Sequence, residues 1–146
     1  MPIIGLGLDV VELERIRRIW ERFGEAFARR VLTAMERKHL LTGQQIPYLA
    51  SRFAAKEAAV KALGTGFREG ITFQQIAVAS RPSGQPELIF SKTAQLLASR
   101  LGVTHIHLSL THGRDTAAAV VILEREPMQW SSGSTSPVAT NSHPTD

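Results

Sequence analysis

The sequence predicts one domain of mixed α and β structure that opens on a strand, continues through helices and returns to strands near its end. Three patterns carry that prediction. Ile3 to Val10 is an apolar, glycine-punctuated run of the kind that forms a buried strand. A long alanine-rich segment from Pro47 ends at Gly64, as a helix with a left-handed cap residue does. Beyond it, short runs of branched and apolar residues alternate with turn sequences.

The first strand delivers Asp9 near its end. The carboxylate is therefore placed rather than scattered, although an aspartate there also suits capping of the next helix. From Val11 to Phe23, Leu13, Ile16, Ile19, Trp20 and Phe23 recur at helical spacing and form one apolar face, with Arg15, Arg18 and Arg22 together on the other side. Ala26 to Leu32 reads as a short second helix. Thr33-Ala34-Met35-Glu36 has the form of a capping box, which predicts a third helix reaching about Gly43. Pro47 suits the first position of the fourth helix, where its missing N–H needs no partner.

After Gly64-Thr65-Gly66, Ile76 to Ala79 and Glu87 to Phe90 read as a hairpin around Ser83-Gly84-Gln85-Pro86. Ser91 is placed to cap a helix through Leu101 that stops at Gly102. Ile106 to Thr111 and Thr116 to Leu123 form strands around a turn at His112-Gly113-Arg114-Asp115. From Pro127 the composition turns to serine, threonine, proline and asparagine. Residues 1–126 are therefore read as the folded domain and 127–146 as a disordered tail.

At 146 residues, with 43% hydrophobic and 21% charged, the chain has the make-up of a single globular domain and not of a disordered or fibrous protein. No run approaches the roughly 20 apolar residues that span a bilayer, and no basic segment precedes an apolar one at the start. Neither membrane attachment nor export is expected, which leaves the cytoplasm. The absence of cysteine excludes disulfides and thiolate nucleophiles and leaves carboxylate or imidazole as metal ligands. A formal charge of +4 favours anionic partners, and the eight basic residues from Arg15 to Lys38 face only Glu21, Glu25 and Glu36. That segment suits docking. It has few aromatics for stacking and no reading motif, so no nucleic-acid partner is expected.

The alanine-rich helix carries Arg52, Lys56, Glu57 and Lys61, the last two spaced to share a face. A surface ion pair would account for them. Yet Ala54, Ala55, Ala58, Ala59 and Ala62 leave little bulk around the pair, so another element or a large ligand can come close. The Gly64-Thr65-Gly66 turn follows a helix, whereas a phosphate-binding Walker loop precedes one. A cap and tight turn suffice to explain it, which argues against a P-loop hydrolase. His107, Ser109 and His112 lack a nucleophile elbow, and strand alternation does not converge them into a hydrolytic triad.

Three segments resemble, in order and spacing, the motifs of the holo-acyl-carrier-protein synthase family. Gly5-Leu6-Gly7-Leu8-Asp9-Val10-Val11-Glu12-Leu13 is similar to its opening strand, followed by Arg15-Ile16 and by Arg30-Val31-Leu32-Thr33 with Glu36. Arg52-Phe53-Ala54-Ala55-Lys56-Glu57-Ala58-Ala59-Val60-Lys61, running on to Gly66, resembles the central signature. His107-Leu108-Ser109-Leu110-Thr111-His112 resembles the closing motif, with Leu108 where valine is usual. The resemblance covers about residues 3 to 124 and leaves the tail without a counterpart.

The resemblance implies an α+β fold with an antiparallel sheet packed on a long central helix. It also implies transfer of 4′-phosphopantetheine from coenzyme A to a serine of an acyl-carrier protein. Asp9 and Glu57 would hold Mg²⁺, whose remaining ligands come from water and the pyrophosphate. Lys61 would pair with phosphate charge, and either Glu57 or a metal-bound water would take the serine proton. Arg52, Lys56, Thr111 and His112, with Gly64 and Gly66 secondarily, would contact coenzyme A. Arg15, Arg18 and Arg22 would meet the acidic helix of the carrier. The family's short members are homotrimers with active sites between protomers. A magnesium-dependent hydrolase of coenzyme A is the competing enzyme class.

Overall fold

In a computed structural model the chain is described over residues 2–40 and 43–127, so the tail beyond Pro127 lies outside the described residues. In chain order the elements are β1 (Ile3–Glu12), α1 (Leu13–Phe23), α2 (Glu25–Val31), α3 (Ala34–Arg37), α4 (Gln45–Leu63), β2 (Ile76–Ser80), β3 (Pro86–Phe90), α5 (Lys92–Leu101), β4 (His105–His112) and β5 (Thr116–Glu124). A 3₁₀ turn, Phe73–Gln75, precedes β2.

β1, β5 and β4 form an antiparallel sheet with β5 in the centre, and β2 and β3 form a separate antiparallel pair. β1 outruns the sequence reading because its ladder with β5 continues to Glu12 opposite Thr116. α1 therefore starts at Leu13, whose N–H donates to Asp115 O at 2.9 Å. Asp9 does not cap it: the cap position is Glu12, and Asp9 stands in the ladder opposite Ala119.

The capping box forms as read, Thr33 Oγ1 accepting from Glu36 N–H and Glu36 Oε1 from Thr33 N–H, but α3 is one turn long and ends at Arg37. Glu36 is drawn inward to a buried partner, which anchors this turn at its start. α4 begins two residues before Pro47 and closes on Gly64 at φ 84°. Ser91 occupies the cap position of α5 without capping it through its side chain. Instead Gln75 Oε1 accepts from Ala94 N–H at 3.0 Å.

The β1–α4 contact explains both the glycines and the alanines. Gly5 and Gly7 face α4, and a Cβ on either would overlap the carbonyl oxygen of Ala62 or Ala58. Only glycine lets the strand backbone approach this closely, and alanine on the helix keeps the gap shallow. Ala54, Ala55, Ala58 and Ala59 are fully buried, as are Ala117, Val121 and Leu123 of β5. The sheet's far face carries Leu6, Leu8 and Val10, which are 62%, 59% and 60% exposed.

Candidate functional site

The close strand–helix contact sets Asp9 of β1 beside the middle of α4. Lys61 Nζ donates to Asp9 Oδ1 at 2.9 Å and to Leu8 O at 3.0 Å. The ion pair that forms thus bridges helix and strand, and the Glu57–Lys61 pair within the helix does not. Glu57 has no ion-pair partner among the described residues. Its carboxyl is held above the ordinary range, first by burial and then by the Asp9 charge, while Lys61 and Arg15 act in the opposite direction. Two carboxylates and two cations therefore share one electrostatic neighbourhood. No group of three or more Asp, Glu, His or Cys suited to a metal occurs among the described residues.

Glu57 also lines a cavity of about 570 Å³ walled by Phe23, Phe27, Phe53, Phe67 and Phe73. Phe73 stacks on Phe67 with centroids 3.9 Å apart and on Phe53 at 5.7 Å, which sets an apolar wall beside the carboxylate. Arg30 lines the cavity, and of the exposed Arg15, Arg18 and Arg22 on α1 two lie over its rings, the Arg15 guanidinium 5.7 Å from the Phe53 centroid and that of Arg22 5.1 Å from the Phe23 centroid.

The remaining residues singled out by the sequence separate. Lys56, read as a coenzyme A contact, is fully buried, and its Nζ donates to Val31 O at 2.6 Å, Glu36 Oε1 at 2.6 Å and Phe73 O at 3.3 Å. Three acceptors use its three protons, so the structure removes it from the phosphate contacts. Burial lowers its pKa and the Glu36 charge opposes that shift. Gly64 and Gly66 adopt left-handed φ of 84° and 62°, and their N–H groups turn back to Val60 O and, for Gly64, also Lys61 O. They leave open space beside them rather than free donors.

Arg52 lies 4.0 Å over the Tyr48 ring and donates to Ser51 Oγ, while its buried Nε has no partner among the described residues. His112 stands opposite Ala117 and Thr111 opposite Ala118. These register positions alternate, so the two side chains leave the sheet on opposite faces, His112 on the face of Asp9 and Thr111 on that of Leu8 and Val10. The register therefore does not bring the two side chains together within the chain.

Like that of Lys56, the burial of Glu36 is announced by no sequence pattern. It is 3% exposed, and besides Lys56 and Thr33 it accepts from Val78 N–H at 2.8 Å. Its capping-box position signalled a local role only. The aromatic cavity was equally hidden, since Phe27, Phe53, Phe67 and Phe73 are dispersed through the sequence.

Residues 5–121 match the 4′-phosphopantetheinyl transferase superfamily. A relative from Maridesulfovibrio salexigens, named holo-[acyl-carrier-protein] synthase, is 54% identical over 123 residues, which is 84% of this chain and 99% of the relative. The crystal structure of holo-[acyl-carrier-protein] synthase from Neisseria meningitidis superposes with a TM-score of 0.79 at 39% identity, covering 84% of this chain and 99% of that one. The Bacillus anthracis synthase in complex with CoA (3′,5′-ADP) superposes with a TM-score of 0.70 at 36% identity, covering 86% and 99%.

Proposed function

The chain belongs to the 4′-phosphopantetheinyl transferase superfamily, and from that premise we propose that it transfers 4′-phosphopantetheine from coenzyme A to a serine of apo-acyl-carrier protein. The products are holo-carrier protein and adenosine 3′,5′-bisphosphate. The observation that carries the assignment of residues is the convergence of Asp9, Glu57 and Lys61 from β1 and α4 at the edge of the aromatic cavity.

Asp9 and Glu57 fit a divalent cation, which we take to be Mg²⁺. Both ligands are hard oxygens, they lie close enough for one charge to raise the other's pKa, and two carboxylates leave room for water and substrate phosphate. When bound, the cation supplies neutralisation of pyrophosphate charge. Lys61 sits on Asp9 and can swing to a phosphate oxygen, since its side chain is half exposed. Glu57 or a water beside it takes the proton of the carrier serine as its Oγ attacks the β-phosphorus. The β-phosphorus–oxygen bond to the nucleotide breaks in the same transfer.

Arg52 and His112 contact coenzyme A phosphates, and Arg15, Arg18 and Arg22 receive the acidic carrier. The buried, unpartnered Arg52 Nε and the exposed arginine stripe support those roles. We further propose a homotrimer with sites between protomers. It would cover Leu6, Leu8 and Val10 and bring Thr111, which faces away from Asp9, to a neighbouring site. Residues 1–126 suffice for catalysis. No helix of the described residues is long and apolar enough to cross a membrane, and we place the enzyme in the cytoplasm.

Incubation with coenzyme A, Mg²⁺ and apo-carrier protein, read by intact mass, tests the assignment. Gain of the phosphopantetheine mass on the carrier supports it. Cleavage of coenzyme A with an unmodified carrier would make the protein a hydrolase.

A further inference from the structure

Lys56 and Glu57 are adjacent, yet one is sealed in the interior and the other opens on the cavity. The Lys56 ammonium meets the backbone of two walls of that cavity at once, Val31 O at the end of α2 and Phe73 O in the 3₁₀ turn. Its third acceptor, Glu36, is held by the N–H of Thr33, the cap residue of α3, and by Val78 N–H of β2. Gln74 Nε2 closes the same junction by donating to Arg29 O and Leu32 O. One cation thus ties α2, α3, the 3₁₀ turn and, through Glu36, β2 to α4.

Helical geometry gives this tie a direction. At about 100° per residue, Glu57 lies about midway around α4 between Lys56 and Ala58. Ala58 is pressed against Gly7 of β1, the strand that carries Asp9. The helix is therefore gripped on two flanks with Glu57 between them. Side-chain ends lie about 5–6 Å from a helix axis, so a rotation of about 10° moves a carboxylate about 1 Å. Misplacements of that size cost up to about 100-fold in rate.

We propose that Lys56 is a positioning residue for the transfer reaction: by pinning the cavity walls to α4 it fixes the azimuth of Glu57 relative to Asp9. The proposal rests on the transferase reading. It requires a consequence beyond stability, because a merely buried ion pair would affect folding and leave the folded site unchanged.

The test compares Lys56→Met with Leu123→Ala, a fully buried core variant of the central strand that stands opposite Gly5, four positions from Ala119, the partner of Asp9. Both are assayed at a temperature where circular dichroism shows each folded. Lys56→Met should lower kcat about 10-fold or more and raise the Mg²⁺ concentration for half-maximal rate, with the coenzyme A KM within about two-fold of wild type. Mn²⁺ binding, titrated by electron paramagnetic resonance without substrate, should weaken in parallel. Leu123→Ala should keep kcat and Mn²⁺ binding within about two-fold when folded. Should Lys56→Met fail to fold, Glu36→Gln removes the ammonium's charged partner and must shift Mn²⁺ binding in the same direction. Wild-type kcat and Mn²⁺ affinity in the folded Lys56 variant, or in Glu36→Gln if it stands in, overturns the inference while leaving the transferase reading intact. Equal losses in Lys56→Met and Leu123→Ala overturn it as well. A wild-type protein that modifies no carrier overturns the reading on which it rests.

Discussion

Gly7→Ala tests whether the site depends on the close approach of β1 to α4. The added Cβ would lie 2.8 Å from Ala58 C and 2.9 Å from Ala62 N, and closer still to the Ala58 carbonyl oxygen. Ordinary carbon contacts settle near about 3.5 Å, so strand and helix must separate by about 1 Å. The Cβ is fixed in place by the strand backbone and everything it meets is helix backbone, so no rotamer relieves the clash. Overpacking costs about 1–3 kcal/mol, and the upper end is expected here. For a domain of this size a loss of about 3 kcal/mol lowers the melting temperature by about 10 °C.

Asp9 follows Gly7 by two positions on the same strand face, so the separation also draws its carboxylate from Glu57 and breaks the Lys61–Asp9 contact. Turnover measured well below the melting point should fall about 10- to 100-fold. Calorimetry and the carrier mass assay read the two effects separately. A melting temperature within about 2 °C of wild type and turnover within about two-fold would refute the reasoning, because both follow from one steric overlap.

Asp9→Asn should lose most transfer at low Mg²⁺ while keeping the fold, with partial recovery at high Mg²⁺ or Mn²⁺, in the same mass assay. Glu57→Gln should stabilise the metal-free protein at neutral pH. The folded-state pKa of Glu57 is raised, so the native state binds more protons than the unfolded chain and loses stability as pH rises above about 4.3 through the folded value. Melting in EDTA across pH checks this, and a gain that persists below pH of about 4 would contradict the cause assigned. Reversing Arg15 and Arg22 to glutamate should raise the carrier KM, leave the coenzyme A KM unchanged and flatten the salt dependence of the rate, because exposed complementary charge acts mainly on encounter. Removal of 127–146 should leave melting and transfer within error of the full chain.

The order of elements and the three segments that carry the family resemblance were legible from the sequence because both rest on local signals. Helical spacing marked α1, Gly64 and Gly102 marked two helix ends, and the capping box at Thr33 and Glu36 formed as read. The pairing of glycines in β1 with alanines in α4 was visible as small residues, but the sequence did not say that they face each other. That took the tertiary contact, which turned the Glu57–Lys61 pair of the helix into a Lys61–Asp9 bridge to the strand. The same limit separated Lys56 from Glu57. Adjacent helical residues point about 100° apart, and only packing decides which direction is interior. The strand register likewise sent Thr111 and His112 to opposite faces, although the motif presents them side by side. Spacing along the chain determines which groups are present and which faces they can share; the burial of Lys56 against Glu36, Val31 and Phe73 was decided by elements distant in sequence meeting at one point.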